Sequence, residues 1–153
     1  MGRLIRVKLA EQQLELRGCW PISTAARGAG ERDGSEQTPR GRHAIAEKIG
    51  AGAQVRTAFE ARQATGEICT AERFAAEPDR DWILTRILWL EGTEEGRNLG
   101  GDVDSKRRCI YIHGTPDDAR IGEPASHGCI RMRNADVIDL FDLVDVGTPV
   151  EIS

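Results

Sequence analysis

The chain has 153 residues, of which 39% are hydrophobic and three are tryptophan. That length and apolar fraction predict one domain, residues 1–153, with one hydrophobic core. A net charge of -4, with basic residues scattered among acidic ones, argues against a nucleic-acid or acidic-membrane partner. No stretch approaches the roughly 18 apolar residues that a membrane-spanning helix needs.

The residues near the start of the chain contain no recognisable targeting signal. Arg6 and Lys8 interrupt the apolar run there, whereas a signal peptide needs roughly 7–15 consecutive apolar residues. We therefore expect a cytoplasmic protein, or a periplasmic one if the natural chain begins further upstream. The sequence leaves the oligomeric state open.

The four cysteines form no Cys-x-x-Cys pair; they are Cys19, Cys69, Cys109 and Cys129. A structural zinc site is therefore not expected. Because disulfides are rare in a reducing cytoplasm, we expect four free thiols. We also expect no metal or other cofactor.

The N-terminal third predicts short strands. Residues 4–9 and 14–16 alternate apolar and polar side chains, which indicates a β-hairpin. Residues 19–24 predict a third strand, with Pro21 at an edge or a bend because proline has no N–H for the ladder. Residues 42–49 predict a fourth strand.

The next segments are less regular. The Gly-rich, charged residues 25–37 predict an exposed loop. Residues 54–68 predict two strands joined by a turn at Thr65-Gly66, and residues 71–76 predict a short helical turn. The most apolar run, residues 81–90, predicts a central buried strand. We expect both of its tryptophans, Trp82 and Trp89, to pack in the core.

A further strand, residues 107–113, ends at a histidine. Successive side chains of a strand point to opposite faces, so Ile110 and Ile112 face the core. The side chains on the other face are Cys109, Tyr111 and His113. At ~3.3 Å per residue, Cys109 would lie about 13 Å from His113 and would be a poor nucleophile for it.

An amphipathic helix is predicted after residue 133. Asn134 suits the N-cap position, and apolar residues repeat at helical spacing at Val137, Leu140, Phe141 and Val144. This stripe should pack on the sheet, and Val150 and Ile152 should belong to a last strand. The fold class is therefore mainly β, a β-rich α+β chain with one clear helix.

One cysteine lies in a setting that favours catalysis. Ser126-His127-Gly128-Cys129-Ile130-Arg131 places a thiol directly after a histidine and a glycine, and His113-Gly114-Thr115 lies upstream. A free thiol titrates near pKa ~8.5, so near neutral pH it needs a base to become a nucleophile. We predict that Cys129 attacks a carbonyl and that His113 takes its proton.

These segments resemble the signature of the L,D-transpeptidase family, the YkuD-type domain. Upstream, Thr38-Pro39-Arg40-Gly41-Arg42-His43-Ala44-Ile45 is similar to the family's Thr-Pro-x-Gly-x-aromatic-x-Ile segment, with His43 where an aromatic residue is usual. Gly147-Thr148-Pro149-Val150 resembles its closing strand. The resemblance implies a β-sandwich with a C-terminal helix packed on the sheet. It also implies that the Gly114 carbonyl holds the second nitrogen of His113.

The resemblance also implies a substrate class. The expected substrate is a peptidoglycan tetrapeptide stem, cleaved between the diamino acid and D-alanine through a thioester. An amine acceptor would make the enzyme an L,D-transpeptidase, and water would make it an L,D-carboxypeptidase. We expect the carboxypeptidase, acting on soluble muropeptides during recycling.

Other residues of the motif are candidates for supporting roles. The N–H groups of Gly128 and Cys129 could stabilise an oxyanion. Arg131 could clamp a substrate carboxylate with two hydrogen bonds, the role that the resemblance favours, or it could form an ordinary surface or structural ion pair. The remaining predicted substrate-binding residues are His127, Ser126 and Tyr111. For His127 and Ser126 a structural role in the loop stays open.

Two other readings use the same residues. His113, His127 and Cys129, with Asp117 as a speculative fourth ligand, could form a zinc-binding module. A thiol redox sensor would need a second cysteine beside Cys129, and Cys109 is the candidate nearest in sequence.

Overall fold

The computed structural model describes residues 3–153, so Met1 and Gly2 of the predicted domain lie outside the described residues. Within this part there are ten strands and two α-helices. The first strands are β1 Ile5–Lys8, β2 Gln13–Glu15, β3 Cys19–Ser23, β4 Gly41–Ile49, β5 Thr57–Glu60 and β6 Gln63–Ile68. The remaining elements are α1 Ala71–Ala76, β7 Leu84–Gly92, β8 Tyr111–Gly114, β9 Ile130–Met132, α2 Asn134–Leu143 and β10 Pro149–Ile152. Neither α-helix is long and apolar enough to cross a membrane.

The sheet closes on itself. Its strand order is β4-β10-β1-β2-β3-β9-β8-β7-β5-β6, and β4 also pairs with β7. That extra pairing joins eight strands into a ring, from which the β5–β6 hairpin extends beside β7. The predicted mainly β fold is confirmed.

One apolar core joins the ring and the C-terminal helix. It contains buried side chains from all eight strands of the ring, and α2 adds Val137, Leu140 and Phe141 of the predicted stripe. Because the same cluster includes Ile112 of β8 and Ile130 of β9, the main core packs against one face of the two strands that carry the catalytic motif.

The N-terminal strands follow their patterns. β1 and β2 form the predicted hairpin, and β3 follows beside β2. Pro21 does not lie on an edge strand, because β3 has β9 on its other side. However, β9 pairs only with Ile22 and Ser23, so the missing N–H of Pro21 falls where that ladder is absent.

The predicted turn of the second hairpin is wrong. β5 and β6 are joined at Ala61-Arg62, where both residues have positive φ, 47° and 65°. Such a turn normally favours Asn-Gly, so an Ala-Arg pair gives no sequence signal. Gly66, with φ of 85°, lies inside β6 instead.

Two strands begin later than predicted, and a residue with positive φ lies near the start of each. Thr85 has φ of 77°, and the pairing of β7 with β8 shifts between Leu84 and Ile87. Cys109 has φ of 58°, so β8 begins at Tyr111. The separation of about 13 Å expected between Cys109 and His113 assumed an extended strand, and the chain is not extended at Cys109. Trp82, just before β7, and Trp89 within it both pack in apolar clusters, as predicted.

Two features around the motif were not predicted correctly. Ile130–Met132 forms strand β9, which three residues are too few to reveal as a pattern. The N-cap of α2 is Arg133, not Asn134. Asn134 is the first helical residue. Its side-chain amide forms hydrogen bonds with Thr85 of β7 and with Thr115, the residue after β8, and not with the helix backbone.

Candidate active site

Parallel strands β8 and β9 carry the predicted base and nucleophile. In their register Ile112 lies opposite Ile130 and His113 lies opposite Arg131. Cys129 directly precedes β9, two positions before Arg131, so its side chain is on the same face as that of His113. The side-by-side strands therefore bring together two residues that are 16 positions apart in sequence.

His113 is held in one tautomer. Its Nδ1 lies 2.6 Å from the carbonyl oxygen of Gly114, the contact that the family resemblance implied. A carbonyl only accepts, so Nδ1 carries the proton and Nε2 has the free lone pair. Nε2 is buried and has no hydrogen-bond partner in residues 3–153. Complete burial of the ring lowers the pKa of His113 to about 4, so His113 is a neutral base near pH 7.

Gly114 is closely enclosed by atoms of β7 and α2. A Cβ at this position would lie 2.4 Å from Oδ1 of Asn134 and 2.7 Å from the carbonyl oxygen of Leu84. The Asn134 amide accepts a hydrogen bond from the Thr85 hydroxyl at 2.6 Å and donates one to the Thr115 carbonyl at 3.0 Å. The backbone that orients His113 is therefore tied to β7 and α2.

Cys129 is a neutral thiol in this structure. Its Sγ accepts a hydrogen bond from the Tyr111 N–H and donates one to the Cys109 carbonyl, both at 3.3 Å. Burial raises the pKa of Cys129 to about 12, against the opposing effect of the Tyr111 N–H. Sγ forms no hydrogen bond with His113 in the described residues. Proton transfer to Nε2 therefore requires the thiol to leave the Cys109 carbonyl.

The loop before Cys129 is fixed by its own hydrogen bonds. The Ser126 hydroxyl donates to the Cys129 carbonyl at 2.6 Å and accepts from the Gly128 N–H at 3.2 Å. The Gly128 carbonyl accepts from the Thr38 hydroxyl at 2.9 Å. Gly128 has φ of 134°, and a Cβ there would lie 3.3 Å from the Gln37 carbonyl oxygen, which together favour glycine. Thr38 belongs to the Thr-Pro-x-Gly segment, so that segment supports the nucleophile loop.

Two cavities lie beside this loop. One, of about 320 Å³, is lined by Cys129 and Tyr111, and the other, of about 390 Å³, is lined by Arg131. The exposed His127 lines both. Arg131 bonds Asp81 at 3.4 Å and the Ala125 carbonyl at 3.4 Å, so part of its guanidinium is already engaged. The substrate-binding roles of Arg131, His127, Ser126 and Tyr111 stay predictions.

The family model of the L,D-transpeptidase catalytic domain, YkuD, matches residues 2–152. The chain belongs to this family.

Relatives in the L,D-transpeptidase family share segments of this chain. The putative L,D-transpeptidase YkuD of Bacillus subtilis is 55% identical over 62 residues, 37% of this chain and 38% of that protein. The probable L,D-transpeptidase ErfK/SrfK of Salmonella typhimurium is 40% identical over 83 residues, 46% of this chain and 27% of that protein. The chain thus covers less than two fifths of the length of either relative.

Solved L,D-transpeptidase structures share the fold. L,D-transpeptidase 3 from Mycobacterium tuberculosis superimposes with a TM-score of 0.61 at 16% identity, covering 99% of this chain and 61% of that one. The L,D-transpeptidase LdtMt1, in complex with imipenem, gives a TM-score of 0.57 at 18% identity, covering 99% and 59%. At these identities the likeness shows the fold alone.

Sequence reasoning missed three charged residues around Cys129. Arg62, Asp81 and Arg108 all line the cavity of about 320 Å³. Arg62 comes from the turn of the β5–β6 hairpin, and Arg108 lies just before β8. No motif marks either arginine, since their positions depend on two positive-φ bends, so only the folded chain reveals them.

Arg108 fixes residues 25–37 beside the loop that precedes Cys129. Its guanidinium donates to the carbonyls of Gly30, Glu31 and Gln37 and to the Ser35 hydroxyl, at 2.6–3.3 Å. Burial lowers the pKa of Arg108 from its usual high value. Residues 25–37, predicted as an exposed loop, are therefore partly anchored beside Gly128.

The departure from the family pattern at His43 lies away from the cavities. His43 is buried in β4, where Nδ1 contacts the Gly41 carbonyl at 3.0 Å and Nε2 contacts the Ser105 hydroxyl at 2.8 Å. It lines neither cavity described above.

The structure bears differently on the two other readings. Within residues 3–153, no three His, Cys, Asp or Glu side chains are grouped closely enough to hold a metal ion, so His113, His127 and Cys129 do not form a zinc module there. Cys109, in contrast, lines the same cavity as Cys129, and all four cysteines are free thiols. The redox reading stays a prediction.

Proposed function

We propose that this chain is a cysteine-dependent acyltransferase that acts on peptidoglycan stem peptides. The observation that carries the proposal is the single tautomer of His113, whose unprotonated Nε2 lies on the strand next to Cys129. Membership of the L,D-transpeptidase catalytic domain family supports the substrate class.

The reaction uses the neutral pair in two steps. Nε2 of His113 takes the thiol proton as Sγ of Cys129 attacks the carbonyl carbon of the diamino acid. A C–S bond forms, the C–N bond to D-alanine breaks, and the imidazolium gives its proton to the leaving amine. Because burial disfavours both charged forms, the proton moves during the attack and no stable ion pair precedes it.

The backbone around Cys129 supports this step. The Tyr111 N–H points at Sγ and stabilises the thiolate as it develops. The N–H groups of Gly128 and Cys129 are the predicted oxyanion donors, and that of Gly128 bonds Ser126 in the resting structure. A role in the oxyanion hole would require Gly128 to exchange that bond for one to the substrate oxygen.

The acceptor determines the product. Water attacking the thioester gives a tripeptide, the L,D-carboxypeptidase reaction, and the amine of a second stem gives a crosslink. We propose hydrolysis of soluble muropeptides in cytoplasmic recycling as the finer function. Crosslinking or exchange of D-amino acids is the alternative that the same thioester allows.

The first test is loss of the nucleophile. Cys129→Ala should abolish D-alanine release from a tetrapeptide stem, because no thioester can form. Cys19→Ser removes an exposed thiol of β3 and is the matched control, expected to keep the wild-type rate. Release of D-alanine by Cys129→Ala at the wild-type rate would contradict the proposal.

The second measurement separates the two products. Tetrapeptide is incubated with and without an amine acceptor, and the products are resolved by mass. Tripeptide alone indicates hydrolysis, whereas dimers or exchanged D-amino acids indicate transpeptidation and would overturn the recycling function.

A further inference from the structure

The cavity beside Cys129 has an excess of positive charge. Of the residues lining it, Arg62 and Arg108 are cationic and Asp81 is anionic. Asp81 is paired with Arg131, at 3.4 Å. Arg108 is occupied by the four loop acceptors described above. Of these two arginines, Arg62 is therefore the one that keeps hydrogen-bond donors as well as charge for a ligand.

Arg62 is held rigidly by neutral groups. Its Nη1 donates to the Tyr111 hydroxyl at 3.0 Å, and its guanidinium carbon lies 4.6 Å from the centroid of the Trp89 ring. Tyr111 and Trp89 pack edge to face at 5.9 Å. The Trp89 indole is fixed in turn by a bond from Nε1 to the Lys106 carbonyl. These contacts pre-organise the guanidinium without neutralising it.

The remaining donors of Arg62 are uncommitted. In residues 3–153 it forms no ion pair, and its Nε and Nη2 donate no hydrogen bond. The pKa of Arg62 is raised chiefly by its hydrogen bond to the Tyr111 hydroxyl, with a smaller effect from the Glu47 carboxylate. Glu47 itself pairs with Lys106 at 3.9 Å. Arg62 thus differs from Arg131, which has a carboxylate partner.

We propose that Arg62 binds a free carboxylate of the acyl-donor peptide in the cavity beside Cys129. The planar guanidinium, with two nitrogens available, matches a carboxylate through two hydrogen bonds. The assignment rests on the proposed function, and it moves carboxylate recognition from Arg131 to a residue of the β5–β6 turn. The carboxylate is either the C-terminal one of the donor or one on the side chain of its diamino acid, since both lie near the scissile bond.

Binding to the inactive Cys129→Ala chain tests this directly. Titration calorimetry compares three stem tetrapeptides, namely the free acid, the C-terminal carboxamide and the peptide with its diamino-acid side-chain carboxylate amidated. One carboxamide should bind about tenfold weaker or more, because it loses a hydrogen-bonded charge pair. Which carboxamide weakens binding identifies the source of the carboxylate.

The comparison is repeated in Arg62→Gln and in a control. With Arg62→Gln the free acid and that carboxamide should bind equally, whereas Arg133→Gln, an exposed arginine outside both cavities, should keep the wild-type difference. Tyr111→Phe keeps the charge and loses its anchor, so it should reduce the difference without removing it. Thermal melting confirms that each variant folds.

Two results would overturn the assignment: an equal penalty for the carboxamide with and without Arg62, or no binding of any of these peptides. If carboxylate binding depends on Arg62 but the wild-type chain releases no D-alanine, the acyl-transfer function is refuted and the Arg62 site stands. If the wild type releases D-alanine normally but the carboxamide penalty is unchanged in Arg62→Gln, the Arg62 site is refuted and the acyl-transfer function stands.

Discussion

His113 and Cys129 are both kept uncharged by burial, and this determines how the site responds to pH. The Gly114 carbonyl fixes the proton on Nδ1, so the free Nε2 is available as a base whenever the ring is neutral. Burial lowers the pKa of His113 to about 4 and raises the pKa of Cys129 to about 12. The pair is therefore in its reactive protonation state across the whole neutral range.

This predicts a flat pH–rate profile. Between about pH 5.5 and 8.5, kcat/KM for D-alanine release should be nearly constant, whereas a base with an ordinary pKa near 6.5 would be only about one quarter neutral at pH 6. His127→Asn, which changes an exposed histidine, should keep the same acid midpoint whatever its absolute rate. An acid limb centred near pH 6.5 that is present in both proteins would show that His113 titrates normally.

The central pair itself could be predicted from sequence. The Ser-His-Gly-Cys and His-Gly segments carry the chemistry in their residue types, and the Gly114 contact followed from the resemblance. Arg62 could not be predicted, because its place beside Cys129 depends on the turn at Ala61-Arg62. That turn has positive φ at two residues that carry no turn signal.

At the scale of elements, the base depends on a junction of β7, β8 and α2. Thr85 of β7 adopts φ of 77°, a strained value for a β-branched residue, and its hydroxyl donates to Asn134 at the start of α2. The same amide donates to the Thr115 carbonyl, next to the Gly114 that orients His113. The sequence pattern predicts Asn134 at this helix start, but as the N-cap residue whose side chain bonds the helix backbone. The tertiary partners that use it come from segments 19 and 49 residues away.

Asn134→Ala should therefore destabilise the fold by about 1–3 kcal/mol, because it removes the acceptor of the buried Thr85 O–H and the side-chain donor to the Thr115 carbonyl. The free energy of unfolding is measured by urea denaturation. Arg133→Ala, the exposed neighbour whose side chain makes no cap, is the control and should change stability by less than about 0.5 kcal/mol. Equal stability of the two variants would mean that the junction contributes nothing.

At the scale of the whole molecule, the ring of eight strands explains why the His113 ring and the Cys129 thiol are buried. β8 and β9 lie between β7 and β3, their inner face belongs to the main core, and the β5–β6 hairpin lies beside the outer face. The class of fold was predictable from alternating patterns and the motif. The closure of the ring was not, since the paired residues of β4 and β7 are 38 to 49 positions apart and neither strand marks its partner.

Burial of neutral histidines links this architecture to stability. Burial lowers the pKa of both His113 and His43, so near pH 6 the unfolded chain binds more protons than the folded one. Stability should therefore be full above the unfolded pKa of about 6.5 and should fall as pH decreases towards the folded values. For His113 alone, with a folded pKa of about 4, the loss between pH 7 and pH 5 is about 2 kcal/mol. The acidic groups whose pKa is lowered, such as Glu94 and Asp104, act at lower pH, because their ordinary values are near 4.

His113→Asn isolates this contribution, because asparagine is neutral at every pH and its amide can still donate to the Gly114 carbonyl. We expect the free energy of unfolding, measured by urea denaturation at pH 7 and pH 5, to fall by about 2 kcal/mol less in this variant than in the wild type. His127→Asn should keep the wild-type difference, since that side chain is exposed in the folded chain. Comparing the change with pH, and not the absolute stability, removes any packing cost of the substitution. If His113→Asn loses as much stability as the wild type over this interval, His113 is not held neutral by the fold, and the flat rate profile would lose its basis as well.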